Sequence, residues 1–143
     1  MKLNTSHSIY RQLDTQCSSP QLVLLLCDGA VRFIREAKDH LIKEAWEKKG
    51  QAVESALDCI AELRKLLDFE HGGEVAHNID RAYNTLSTKL TLGNLARDPQ
   101  QFEQVADSLT TIRESWSELF RKLAAEGKLR DRDIAPKTLE PAL

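Results

Sequence analysis

Residues able to hold a metal ion, activate a nucleophile or cradle a phosphate are few in this 143-residue chain. The best-spaced pair is Glu74 and His77, three apart, the unit with which carboxylate-bridged di-iron helix bundles bind metal, and Asp68 and His71 repeat that spacing just upstream. Such a centre needs a second Glu-x-x-His and a carboxylate from each of two further helices, all pointing inward. The inward positions of this sequence are Leu, Ile, Ala and Phe, and carboxylates buried among them without a cation would cost several kcal/mol. Glu74 therefore reads as a first-turn helix residue whose charge meets the positive end of the helix dipole, and His71 and His77 as solvated surface groups. His7 and His40 each stand without a second ligand at metal spacing.

Nucleophilic chemistry finds no better footing. Cys27 follows Leu24, Leu25 and Leu26, an apolar setting that raises a thiol pKa, and no histidine lies at helical reach of it. With Cys17 and Cys59 the cysteines number three, at least one is unpaired, and no Cys-x-x-Cys marks a metal or redox pair, so all three read as reduced thiols. Gly72-Gly73 follows no strand and precedes no Lys-Ser or Lys-Thr, so it is a turn and not a phosphate loop. The chain is accordingly read without catalytic residues, metal or cofactor.

Charge and hydropathy remove two further classes. Twenty basic residues against 22 acidic ones leave a net charge of −2, no field with which to hold nucleic acid. The longest apolar run, Leu22 to Cys27, falls far short of the roughly 20 residues that cross a bilayer, and the start Met1-Lys2-Leu3-Asn4-Thr5 lacks a secretory apolar region. A cytoplasmic protein with no membrane insertion is expected.

What positions the side chains is helix throughout. Pro20, Gly50, Gly72-Gly73, Pro99 and Gly127 divide the chain into four segments of helical length. The first opens on Ser19-Pro20, an N-cap followed by a proline at the first helical position. Leu22, Leu25, Leu26, Gly29, Ala30, Phe33, Ile34, Ala37 and Leu41 then recur in steps of three and four. The second segment places Val53, Ala56, Leu57, Ile60, Leu63 and Leu67 on one face, the third Val75, Ile79, Ala82, Leu86 and Leu90. The fourth does so with Phe102, Val105, Ala106, Leu109, Ile112, Trp116, Leu119, Phe120 and Leu123. No stretch alternates as a half-buried strand would. The fold expected is all-α: an antiparallel four-helix bundle over residues 19–126, a short N-terminal helix or lid over 1–18, and a mobile tail over 127–143.

Some apolar residues exceed what four stripes must bury. Leu24, Cys27 and Val31 fall off the first stripe and make its opening turns apolar nearly all round. Tyr83 and the small turn of Ile9, Tyr10 and Leu13 add to them. Either the head folds back and covers this surface, or the surface is a groove for another chain's amphipathic helix; the two coexist if the head is a removable lid.

The sequence resembles the FliS family, the flagellin-specific secretion chaperones of bacterial flagella. Members carry a tyrosine ahead of Ser/Thr-Pro and then Leu-x-x-Met-Leu-Tyr-Asp-Gly; here Tyr10 precedes Ser19-Pro20 and Leu22-Val23-Leu24-Leu25-Leu26-Cys27-Asp28-Gly29. The family's Gly-Gly-Glu-Ile-Ala-x-Asn-Leu, its Tyr, and its Arg-Leu-x-x-Ala-Asn before an Asp correspond to Gly72-Gly73-Glu74-Val75-Ala76-His77-Asn78-Ile79, Tyr83, and Lys89-Leu90-Thr91-Leu92-Gly93-Asn94 with Asp98; Trp116 matches a late Trp. The correspondence runs from about Tyr10 to Leu123. Cys27 replaces the usual Tyr and Leu25 the Met, and Thr85 and Ser87 stand where the family tends to aromatic residues.

The resemblance implies a partner: the C-terminal region of newly made flagellin, disordered before assembly, kept from premature polymerisation and handed, as a complex, to an export-gate protein of the FlhA type. It implies binding through Ile9 and Tyr10 in the lid and through Leu24, Cys27, Val31, Tyr83 and Leu90 along the groove. Asp28 and Asn94 would serve as polar groups that fix helix ends or orient the guest. The bare pattern leaves open a metal-binding or scaffold bundle with an unrelated partner.

Overall fold

The computed structural model describes residues 19–129. The described residues form four helices: α1 (Ser19–Ile42), α2 (Trp46–Lys65), α3 (Phe69–Ala96) and α4 (Pro99–Ala125). The all-α bundle expected from the periodicity is what the chain forms. Connections of two or three residues make sequential helices antiparallel. The α1 helix packs most extensively on α2 and α4, and α3 closes the ring against the same two. No helix among the described residues is long and apolar enough to cross a membrane.

Local chemistry explains the joints. Asp98 caps α4, its carboxylate accepting from the N–H groups of Gln100 and Gln101, with Pro99 in the first position. Asp68 caps α3 by accepting from His71 N at 3.1 Å. At its other end α3 closes on Arg97, left-handed at φ 53°, whose N–H returns to the Asn94 carbonyl. Gly127, at φ 75°, follows the end of α4 where a stop was expected. Ser19 is itself the first residue of α1, at the edge of the described residues.

Two of the expected joints are elsewhere. Gly50 lies inside α2; the chain breaks at Lys43–Ala45, with Glu44 at φ 59°. Gly72-Gly73 lies inside α3, which starts four residues earlier, and Gly73 (φ 51°, ψ −129°) kinks the helix without ending it. The third stripe also shifts. Val75 and Ala82 face outward, and the buried seam of α3 is Ala76, Tyr83, Leu86, Leu90 and Gly93, with Ile79 half-buried.

The apolar excess assigned to α1 has a structural cause. Leu24 and Cys27 are buried, at 9% and 0% exposure. A helix wedged between two neighbours buries a wider arc than a single stripe: Leu22, Leu24, Leu26, Cys27 and Ala30 are all buried, while Val31, half-buried, lines the groove toward α4. Tyr83 and Leu90, both 0% exposed, are likewise core residues. The expectation that Leu24, Cys27 and Tyr83 form surface in excess of one core does not hold.

Candidate functional site

The residues singled out in the sequence are found in three places. Leu24, Cys27, Tyr83 and Leu90 lie in the interior. Asp28 and Val31 line an open groove of about 490 Å³ between α1 and α4, with Arg35, Thr110 and Arg113. Asn94 lines a second, of about 430 Å³, between α2 and α3. Ile9 and Tyr10, with Leu13, His7 and Cys17, lie outside the described residues.

The interior group centres on Tyr83. Its hydroxyl accepts a 2.9 Å hydrogen bond from Trp116 Nε1, joining α3 to α4, and Trp116 stacks on Phe120 with ring centroids 5.5 Å apart. Burial, and then the neighbouring Cys27, push the Tyr83 phenol above its ordinary range. Burial likewise raises the Cys27 thiol to about 12, the Asp28 charge adding to the effect and Arg113 opposing it. A thiol so shifted is not a nucleophile at neutral pH.

At the α1–α4 groove, Arg113 Nε donates to Asp28 Oδ1 at 3.0 Å. Further along, Lys38 Nζ reaches Glu103 at 3.2 Å and Arg35 lies 3.5 Å from Glu103 and Asp107. These partly exposed pairs set the register of two helices more than they stabilise them. Val31, half-buried, is the apolar floor.

The α2–α3 groove is built around Trp46. Arg97 lies 4.2 Å above its ring and Lys49 Nζ 5.4 Å from it. Lys49 is only 8% exposed, and its ammonium meets the Asn94 carbonyl at 3.4 Å, so two cations converge on the negative end of α3. The side-chain Oδ1 of Asn94 is shielded from solvent and has no hydrogen-bond donor among the described residues. Trp46, Lys49 and Arg97 went unnoticed in the sequence, although a tryptophan in a helix's first turn was the available signal.

No group of three His, Cys, Asp or Glu among the described residues is gathered to hold a metal ion. Glu74 and His77 are both exposed, and the His77 ring lies tilted against Phe69 at 4.7 Å between ring centroids. Residues 3–123 match a family described as flagellar protein FliS. The chain belongs to that family. Among its relatives, the flagellar secretion chaperone FliS of Salmonella typhimurium is 34% identical over 106 residues, 73% of this chain and 78% of the relative. That of Vibrio cholerae is 31% identical over 110 residues, 75% and 81% of the two chains. That of Campylobacter jejuni is 31% identical over 120 residues, 83% and 94%.

The structure gives physical roles to the residues that carried the resemblance to FliS. Asp28 ties α1 to α4, Gly73 kinks α3, Tyr83 and Trp116 are hydrogen-bonded across the core, and Asn94 takes the Lys49 ammonium on its carbonyl. Gly93 lets α3 and α4 touch, since a Cβ there would lie 2.8 Å from Gln101 Cγ.

Proposed function

We propose that the chain is a cytoplasmic flagellar export chaperone: it binds the disordered C-terminal region of flagellin, prevents premature polymerisation, and helps deliver the complex to an export-gate protein of the FlhA type. The observation that carries this reading is the FliS match over residues 3–123, together with relatives that are each named as flagellar secretion chaperones. The function is binding, with no catalytic step.

The geometry supports it in a specific way. The α3 seam is narrow, and Val75, Leu92 and Leu95 remain 66%, 56% and 76% exposed. A guest that folds as helices against such side chains gives up chain entropy, so it needs a large interface and holds moderate affinity, which permits release. Asp28, Val31 and Asn94 reach the surface and are the proposed contacts; Leu24, Cys27, Tyr83 and Leu90 shape that surface from behind, and Ile9 and Tyr10 contribute from the leading segment.

Calorimetric titration with the flagellin C-terminal segment tests the reading. A large negative heat-capacity change and a gain in helicity are expected. A flat titration would sink it for that flagellin.

A further inference from the structure

The third helix is held less firmly than the first. Over its length α1 buries nine residues and α3 five, and of those five Ala76 and Gly93 offer almost no side chain. Tyr83, Leu86 and Leu90 supply most of the apolar area of the α3 seam, and α3 packs more sparsely on α2 and α4 than α1 does on the same two helices. A helix that buries so little is the first candidate for opening on its own, short of global unfolding.

Its attachment to α2 is polar instead. Arg64 donates from Nε to Asp80 Oδ1 at 2.7 Å, from Nη2 to Asp80 Oδ2 at 3.2 Å and from Nη1 to Asn84 Oδ1 at 3.3 Å, so one guanidinium holds two successive turns of α3. Lys49 Nζ reaches the Asn94 carbonyl at 3.4 Å, ten residues and so about 15 Å further along α3. Beside that second contact the groove of about 430 Å³ parts the two helices, with Val53 and Leu57 on one wall and Thr91 and Asn94 on the other. The shielded Asn94 Oδ1, which has no donor among the described residues, belongs to the same loosely closed junction.

Both ends of α3 can pivot. Gly73, at φ 51° and ψ −129°, interrupts the helix near its start, and Arg97, at φ 53°, ends it. Residues 74–96 between them are unbroken helix. On the α4 side this rod rests on the close approach of Gly93 to Gln101 and on the hydrogen bond between Trp116 and Tyr83, which makes α4 the fulcrum and α2 the side that opens.

We propose that residues 74–96 of α3 swing away from α2 as one rod, with Gly73 and Arg97 as the hinges and the Arg64 fork to Asp80 and Asn84 as the latch. Opening presents Val53 and Leu57 on α2 and Leu86 and Leu90 on α3 as two apolar walls, between which an amphipathic helix of the client can lie. That use of the opening rests on the chaperone reading above. The opening itself is a property of the chain alone and is measured without a client, so a rigid α3 and a client that does not bind are separate results.

Two cysteines report on different sides of the bundle. Cys27 is 0% exposed and neighbours Tyr83, so α3 is part of its cover, whereas Cys59 has Gly29, Arg32 and Glu62 around it, all on α1 and α2. In the full chain carrying Cys17→Ser, a small maleimide at low urea should label Cys27 at a rate that rises with urea far less steeply than global unfolding does, because opening exposes only the α3 seam. Arg64→Ala should raise the Cys27 rate at least tenfold and leave the Cys59 rate unchanged, read by peptide mass mapping. Arg64→Asp and Asp80→Arg should each act likewise and together restore slow labelling. Labelling of Cys27 only through global unfolding overturns the proposal, and so does an Arg64→Ala variant in which both thiols accelerate equally. Should the latch variants lose helicity, hydrogen exchange of the Cys17→Ser chain decides. The amides of residues 74–96 should exchange as a block at least tenfold faster than those of α1, and equal rates would mean that α3 opens only with the whole bundle.

Discussion

The indole N–H of Trp116 donates to the Tyr83 hydroxyl at 2.9 Å, one hydrogen bond joining the third helix to the fourth inside an otherwise apolar core. Because Tyr83 is 0% exposed, its hydroxyl has no bulk water to fall back on. Trp116→Phe leaves the tyrosine oxygen without this donor and should lower stability by about 1 to 2 kcal/mol in urea unfolding. Tyr83→Phe should cost a similar amount, and the double variant should cost less than the sum of the two. Additive losses would show that the bond contributes nothing.

Two glycines should respond to alanine with opposite signs. At Gly93 a Cβ would lie 2.9 Å from Gln101 Cβ and 3.5 Å from Phe102 Cδ1, and a Cβ cannot swing away as a side-chain tip can. Gly93→Ala should push α3 from α4 and cost about 1 to 3 kcal/mol. Gly50 sits in α2 with nothing within 4 Å of a new Cβ, so Gly50→Ala should raise stability by about 0.5 to 1 kcal/mol. Urea midpoints of the two variants check both.

That contrast also shows how far the sequence could be read. Gly50 looked like a joint, because a glycine in sequence does not reveal whether its φ is positive; the real break is held by Glu44 at φ 59°, a residue type that signals nothing. Pro99 and Gly127 were legible because helix start and stop chemistry is local. Among the described residues, the four helices followed from periodicity taken together with the proline and glycine positions, even though two of those joints lie elsewhere. The site was less legible, since whether Leu24, Cys27 or Tyr83 is surface or core depends on how many neighbours its helix has, and that is a property of the assembled bundle.

Alkaline pH should unfold the bundle through its buried acids. Cys27 and Cys59 are raised from 9.0 to about 12 by burial, so between these values the folded chain keeps protons that the unfolded chain releases. Stability is then fully present below about pH 8.5 and falls as pH rises, by about 1.4 kcal/mol per pH unit for each thiol, with Tyr83 joining above about pH 10. Urea midpoints from pH 8 to 11 measure the slope. Cys27→Ala should lower the starting value yet flatten the slope, whereas an unchanged slope would mean that Cys27 does not carry the effect.

The kink in α3 supplies the last prediction. Gly73 adopts φ 51° with ψ −129°, a combination closed to side chains with a Cβ, and it separates the turn Phe69–Gly72 from the rest of the helix. That turn is anchored from both sides: Asp68 accepts from the His71 amide, and Phe69 packs against His77 beyond the kink. Gly73→Ala must therefore either strain the backbone or release the turn. A loss of about 1 to 3 kcal/mol is expected, with faster hydrogen exchange confined to residues 69–76 if the turn is released. Exchange that accelerates equally along all four helices would instead mean that the strained glycine supports the whole bundle.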